Sequence, residues 1–173
     1  TLFADKDINF ESQQSGYELA YWDYFGRWVY TGVGVDLGLS VARLHDRQGI
    51  LELPTVQALS QPSLVLPLLH KPYFQLTQSG AAPWRSWLFK WEVALSIDEP
   101  TNSGNLDAAI PVIAQSRVSR LTPMFGISFN GISQLTLSAE FQKPYLLTTL
   151  KDPLYPMELS IVALRVVGNY MRE

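Results

Sequence analysis

A chain's chemistry is set first by the spacing of its histidines, carboxylates and nucleophiles. Here there are two histidines, His45 and His70, and no cysteine. A histidine general base needs a nucleophile within reach and a carboxylate to orient its ring. Asp46 follows His45 directly, but neighbours on a strand point to opposite faces, so adjacency alone makes no dyad. His70, in Leu-Leu-His-Lys-Pro, stands before a turn and reads as a surface or capping residue. Two separated histidines do not make a metal centre. Without cysteine there is also no thiolate zinc site, no disulfide frame and no thiol nucleophile.

The carboxylates offer two further chemistries. Glu92 and Glu140 lie on the polar faces of the two most regular strand patterns, and glycoside hydrolysis would need two such groups across one cleft. Solvated strand charges account for both more simply. Asp5 and Asp7, and the stretch from Asp98 to Asp107 with Glu99, Asn102 and Asn105, hold the oxygen donors that calcium takes. Neither follows the twelve-residue calcium loop, so calcium in the Asp98–Asp107 segment stays open. No phosphate-binding glycine loop, Gly-x-Ser-x-Gly elbow, His-Glu-x-x-His or dinucleotide fingerprint occurs. This inventory predicts a protein that is not an enzyme, with no catalytic residue, cofactor or metal.

Composition points to contact with something other than water. Hydrophobic residues make up 47% and charged residues 17%, against roughly 25% charge in typical soluble domains. Five Trp and eight Tyr add to this, because both are enriched where proteins meet partners. A net charge of −3 with scattered Lys and Arg gives no basic stripe for phosphate backbones, so direct nucleic-acid binding is not expected. The opening Thr-Leu-Phe-Ala-Asp-Lys-Asp has no basic-then-apolar leader. No apolar run approaches the ~20 residues of a spanning helix, and the richest, Leu64 to Leu69, contains Pro67. These features predict cytoplasmic synthesis, no signal peptide and no transmembrane segment.

The elements that must position these residues are short strands. Eleven prolines spread over the length leave little room for helices. From Trp87 to Ile97 every odd residue is apolar, with Lys90, Glu92 and Ser96 between, a period of two that predicts a strand with one buried row. That row places Trp87 and Trp91 in the core. Gln134 to Gln142 alternates likewise and joins Met124 to Phe129 through Asn130-Gly131, a dipeptide suited to a tight hairpin. Glu158 to Val167 is apolar on both sides, as in a strand covered twice, with a short amphipathic helix as the alternative.

Tyr17 to Leu44 reads as two strands turning at Phe25-Gly26, flanked by Trp22 and Trp28. Ile50–Leu53, Leu64–Leu69, Tyr73–Thr77 and Ile110–Ala114 complete the set, while Asp98–Asp107 reads as a surface loop and Thr122-Pro123 as a turn flanked by Arg117 and Arg120. The expectation is all-β: one antiparallel β-sandwich or barrel of about eight to ten strands, jelly-roll type. It spans residues 1–173 as one domain, with 1–16 as an extended N-terminal arm.

Trp84-Arg-Ser-Trp-Leu-Phe-Lys-Trp-Glu-Val and Pro153-Leu-Tyr-Pro-Met-Glu-Leu-Ser-Ile-Val, with the cysteine-free length of 173 residues, carry a resemblance. The chain resembles the small major capsid protein of tailless, membrane-containing icosahedral phages of thermophilic bacteria, the lineage with upright single β-barrels. The resemblance implies a structural virion protein that self-associates as a homodimer or higher. It would join a second, larger capsid protein in an icosahedral shell, in contact with internal membrane lipid. Subunit contacts are expected at Leu2, Phe3, Trp22, Tyr24 and Trp84. The alternative is a carbohydrate-binding β-sandwich that uses exposed Trp and Tyr as a stacking platform.

Overall fold

Strict alternation is the dominant instruction in this chain, and a computed structural model of it shows where that instruction leads. The structure describes residues 7–13, 22–47, 49–51, 63–105, 112–132, 135–150 and 158–168. Among the described residues there are strands and no helix, the all-β architecture that the alternation predicts. The strands are β1 (Asp7–Gln13), β2 (Tyr24–Gly32), β3 (Val35–His45), β4 (Ile50–Leu51), β5 (Ser63–Leu69), β6 (Pro72–Trp84), β7 (Trp87–Asn105), β8 (Val112–Ile132), β9 (Leu135–Gln142), β10 (Tyr145–Leu146) and β11 (Ile161–Gly168).

Two sheets result. The smaller has the order β1-β5-β4, with β1 parallel to β5. The larger is antiparallel, ordered β11-β9-β8-β7-β6-β3-β2, with β10 also on β8. Space follows sequence along this sheet, apart from β4 and β5, which leave it between β3 and β6. The sheet is not a closed barrel: β2 pairs with β3 and β11 with β9, and the two edges are not joined to each other.

All the tight reversals fall at one end. The β2–β3 turn is Val33-Gly34, with Gly34 at φ 82, and the β6–β7 turn is Arg85-Ser86, with Arg85 at φ 55. The β8–β9 reversal lies at the same end, between Ile132 and Leu135. Every long connection, residues 46–71, 106–111 and 143–160, leaves from the opposite end.

Several expectations are corrected by this arrangement. Phe25-Gly26 is not a turn, because β2 runs through it in register with Val41 and Ala42. Asp98–Asp107 is not a loop as far as Asn105: β7 continues through it, kinked by a bulge between Ser96 and Glu99 with Asp98 at φ 55. Thr122-Pro123 is likewise inside β8, not a turn. Pro123 fits there because it falls in a gap of the ladder on one side, between the end of the β9 pairing at Met124 and the start of the β10 pairing at Leu121. β8 and β9 pair as expected, but Asn130-Gly131 lies at a register shift inside β8, which continues to Ile132, and residues 133–134 lie outside the described residues. Trp84, expected at a subunit contact, closes β6 opposite Trp87. Leu2, Phe3, Asp5, Tyr17 and Asp107 lie outside the described residues.

The largest correction concerns the core. Among the described residues only Ala42, Ile50 and Val118 are buried apolar side chains. Burial is concentrated where the small sheet docks on the far ends of β7 and β8. There the Leu51 N–H donates to Asn102 Oδ1 at 2.9 Å and Asn102 Nδ2 donates to the Leu51 carbonyl at 3.1 Å, so one amide completes a strand edge. Ser103 and Ser116 share a hydroxyl hydrogen bond of 2.7 Å beneath it. The row from Trp87 to Ile97, expected inside, is exposed at Trp87, Phe89 and Ile97, and β11 is exposed along nearly all its length.

Candidate functional site

Cross-strand register assigns each side chain of the large sheet to a face, because residues directly opposite in an antiparallel pair point the same way. The Trp87–Ile97 row continues into Phe129, Ile127 and Phe125 of β8, then Leu137, Ala139 and Phe141 of β9, then Val166, Leu164 and Val162 of β11. In the other direction it continues into Trp84, Leu76 and Phe74 of β6, then Leu37, Leu39 and Val41 of β3, then Tyr30, Trp28 and Tyr24 of β2. Across seven strands only Gln78 and Arg43 interrupt this face with a strongly polar side chain. Seven strands span about 29 Å and eleven residues about 33 Å, so the face covers on the order of 900 Å². Monomers in water rarely expose more than roughly 300–600 Å² of continuous apolar surface.

Close packing stiffens this face although nothing covers it. A Cβ at Gly80 would meet the Trp91 indole, so the ring lies flat over the glycine of the next strand. Phe129 packs against Gly131 of its own strand, and Trp87 packs on Phe129 with ring centroids 4.6 Å apart. The aromatic side chains are thereby fixed against the backbone, not free in solvent.

The opposite face carries Arg27, Asp36, Lys90, Glu92, Arg120, Glu140 and Arg165, with Ser and Thr between them. Glu92 and Glu140 do share it, but β8 separates their strands and they sit two residues out of register. Lys90, not Glu92, is level with Glu140 across Gly126.

A cavity of about 560 Å³ opens on this polar face at the long-connection end. Leu44 of β3 and Ile161 of β11 both line it, yet five strand spacings separate those strands, about 24 Å on a flat sheet. The sheet therefore curls around its polar face. Polar is concave and apolar is convex.

Inside the cavity Arg120 Nη2 donates to Glu99 Oε1 at 2.6 Å. The bulge at Asp98 makes this pair possible, since one extra residue swings Glu99 onto the face that carries Arg120. Burial pushes the Glu99 carboxyl above the usual range, more than the Arg120 guanidinium beside it pulls it down. Tyr73 is raised as well, first by burial and then by the charge of Glu99.

His45 Nδ1 lies 3.0 Å from Asp23 Oδ1, which also accepts the His45 backbone N–H at 2.8 Å. The histidine's carboxylate is thus a residue 22 positions back, not Asp46. Adjacency made no dyad, as the strand geometry predicts, and Asp23 reaches His45 because β2 and β3 are paired antiparallel strands. His70 Nδ1 meets the Asp46 carbonyl at 2.6 Å and so caps the chain entering β4.

The three described contact residues are all exposed. Trp84 is 60% exposed beneath Arg85, whose guanidinium is 5.4 Å from the ring centre. Tyr24 carries Arg43 at 6.0 Å, and the same arginine's Nη1 donates to the Trp22 carbonyl at 3.1 Å. Trp84 stands at the tight-turn end and Tyr24 and Trp22 at the other, so they mark the two rims of the apolar face. The face itself went unread in sequence because its alternation was taken as the signature of a covered row.

Comparison with known families, with curated proteins and with solved structures returns no match. No helix among the described residues is long and apolar enough to cross a membrane, a statement that does not bear on strands.

Proposed function

We propose that the large sheet is wall of a membrane-spanning β-barrel, its convex face against lipid and its concave face toward a water-filled interior. The observation that carries this reading is the inversion of the usual barrel: charges on the concave side and Trp, Phe, Val and Leu on the convex side. A barrel in water hides apolar residues inside, whereas a membrane barrel alternates apolar-out with polar-in. Dimensions agree. Eleven residues from Trp87 to Ile97 cover about 33 Å, and at the 35–45° tilt of such barrels they rise about 25 Å, the height of the apolar band.

The rims agree too, since Trp84 and Trp87 at one end and Tyr24, Phe74 and Tyr145 at the other sit where aromatic girdles meet the headgroups. Tight turns at one end and long connections at the other complete the pattern. Backbone in hydrocarbon must be fully paired, so β2 and β11 would each meet a further strand. Hydropathy windows tuned to helices miss such a wall because half of its residues are polar.

The second reading is a shell subunit with self-association, a larger partner protein and lipid beneath. Exposed Trp22, Tyr24 and Trp84 at both rims favour it, as anchors by which copies would cover the convex face. One experiment separates the two. The chain is folded in the presence of phosphatidylcholine vesicles with brominated acyl chains, keeping Trp91 and replacing the other four tryptophans by Phe. Strong quenching of Trp91 fits the wall. Unquenched emission together with discrete large particles in detergent-free buffer fits the shell and would falsify the wall.

A further inference from the structure

A second cavity, of about 370 Å³, lies on the concave face between β7, β8, β9 and β11. Its floor is a row fixed by register: Ser138 of β9 stands directly opposite Ser128 of β8 on one side and Arg165 of β11 on the other. Thr136 adds a third hydroxyl two residues further along β9. Ser128 is only 8% exposed, and among the described residues its hydroxyl has no hydrogen-bond partner. Nor is that oxygen sealed from water, as Glu99 Oε2 and Arg120 Nε are. It opens into the cavity with its hydrogen bond unmade.

The walls are cationic and accessible. Lys90 and Arg165 are both exposed and both line this cavity, and among the described residues neither makes an ion pair. One carboxylate, Glu140, shares the lining, but a Cβ at Gly126 would meet the Glu140 Cγ at 3.2 Å, so this side chain leans over β8 toward Lys90. Arg165, on the other side of β9, is left facing hydroxyls. Two positive charges against one negative select an anion.

Shape selects further, because the donors sit on four neighbouring strands and the sheet curls around this face, so they converge from the floor and from two walls. A carboxylate accepts in one plane, whereas a tetrahedral oxyanion has oxygens for each direction, and the planar fork of an arginine takes two of them. Directly opposed side chains such as Ser128 and Ser138 start about 4.5–5.5 Å apart. One such ion bridges that gap.

We propose that this cavity binds a tetrahedral oxyanion of the phosphate class, with the Arg165 guanidinium and the Ser128 and Ser138 hydroxyls donating to it and Lys90 completing the charge. The concave face is the polar one whether lipid or another subunit covers the convex face, so the site depends on neither reading.

The test is titration calorimetry on the full chain at fixed ionic strength, run in both detergent micelles and detergent-free buffer. The probes are inorganic phosphate, sulfate and acetate. Phosphate and sulfate are expected to bind at one site, about tenfold or more tighter than acetate. Arg165→Gln is expected to weaken phosphate about tenfold and Ser128→Ala about fivefold, as charge-assisted hydrogen bonds are lost. Arg165 is exposed on an edge strand, so its variant keeps the test alive if Ser128→Ala does not fold. Lys143→Gln removes the same charge outside the cavity and is expected to leave phosphate affinity unchanged. No heat from phosphate or sulfate overturns the proposal, as does acetate binding as tightly as they do. Phosphate affinity unchanged in the folded cavity variants, or lowered as much by Lys143→Gln as by Arg165→Gln, also overturns it.

Discussion

The end of the molecule capped by the small sheet and the broad sheet beside it are made of the same strands, yet they solve opposite problems. Beyond the bulge at Asp98, β7 and β8 carry Thr101, Asn102, Ser103 and Val118, all buried, with Asn102 hydrogen-bonded to β4. Before the bulge, the same two strands present Trp87, Phe89, Ile97 and Phe125 to the outside. The capped end buries polar groups whose hydrogen bonds are made within the protein. The sheet exposes apolar groups that only another phase or another protein can cover. Burial therefore does not follow hydrophobicity along this chain; it follows the position of the second layer.

Substitutions at the two regions should differ in kind. Ile50 is 1% exposed under the capped end, so Ile50→Ala is expected to cost about 3 kcal/mol in denaturant unfolding, in any medium. Val162, 68% exposed on the edge strand β11 and level with Trp91, is expected to behave differently. In vesicles Val162→Arg should cost about 2–4 kcal/mol, as for a charge at the bilayer midplane, whereas Gln75→Arg on the concave face should stay within about 0.5 kcal/mol. Equal, small effects at both positions would remove the distinction between the faces.

Asn102→Ala leaves the Leu51 N–H and carbonyl without their amide, and a loss of about 2 kcal/mol is expected, with early protease cleavage near β4. Gly80→Ala forces Trp91 off the neighbouring strand, for an expected loss of about 1–2 kcal/mol and a shift in tryptophan emission.

The smallest effect concerns pH. Because burial raises the Glu99 carboxyl, the unfolded chain releases this proton first as pH rises past the ordinary carboxylate value. Stability from this group is full below that value and is lost as pH climbs through the raised one. The difference in Tm between the parent and Glu99→Gln should change across that window and be flat on either side of it.

Much of the strand content was legible. The alternation of Trp87–Ile97 and Gln134–Gln142 located β7 and β9 to within a few residues, because a period of two is written directly in side-chain order. Their lengths and reversals were harder to read. Polar residues such as Thr101 and Asn102 resemble a loop in sequence, and they form a strand because β8 supplies their ladder partners and Leu51 takes up the Asn102 amide. Glycine at 26 resembles a turn, and it sits mid-strand because Val33-Gly34 makes the reversal instead. The cavity pair Glu99–Arg120 and the contact between His45 and Asp23 join residues 21 and 22 positions apart, and no local signal announces either.

The order of side chains by itself determined that this is a β protein with one apolar and one polar side to each long strand, since that follows from backbone geometry alone. Which side curves inward was decided only by the tertiary structure. Alternation is symmetric under exchange of the two faces, so twist, bulge and strand order must break the tie. Here they wrap the sheet around its charges.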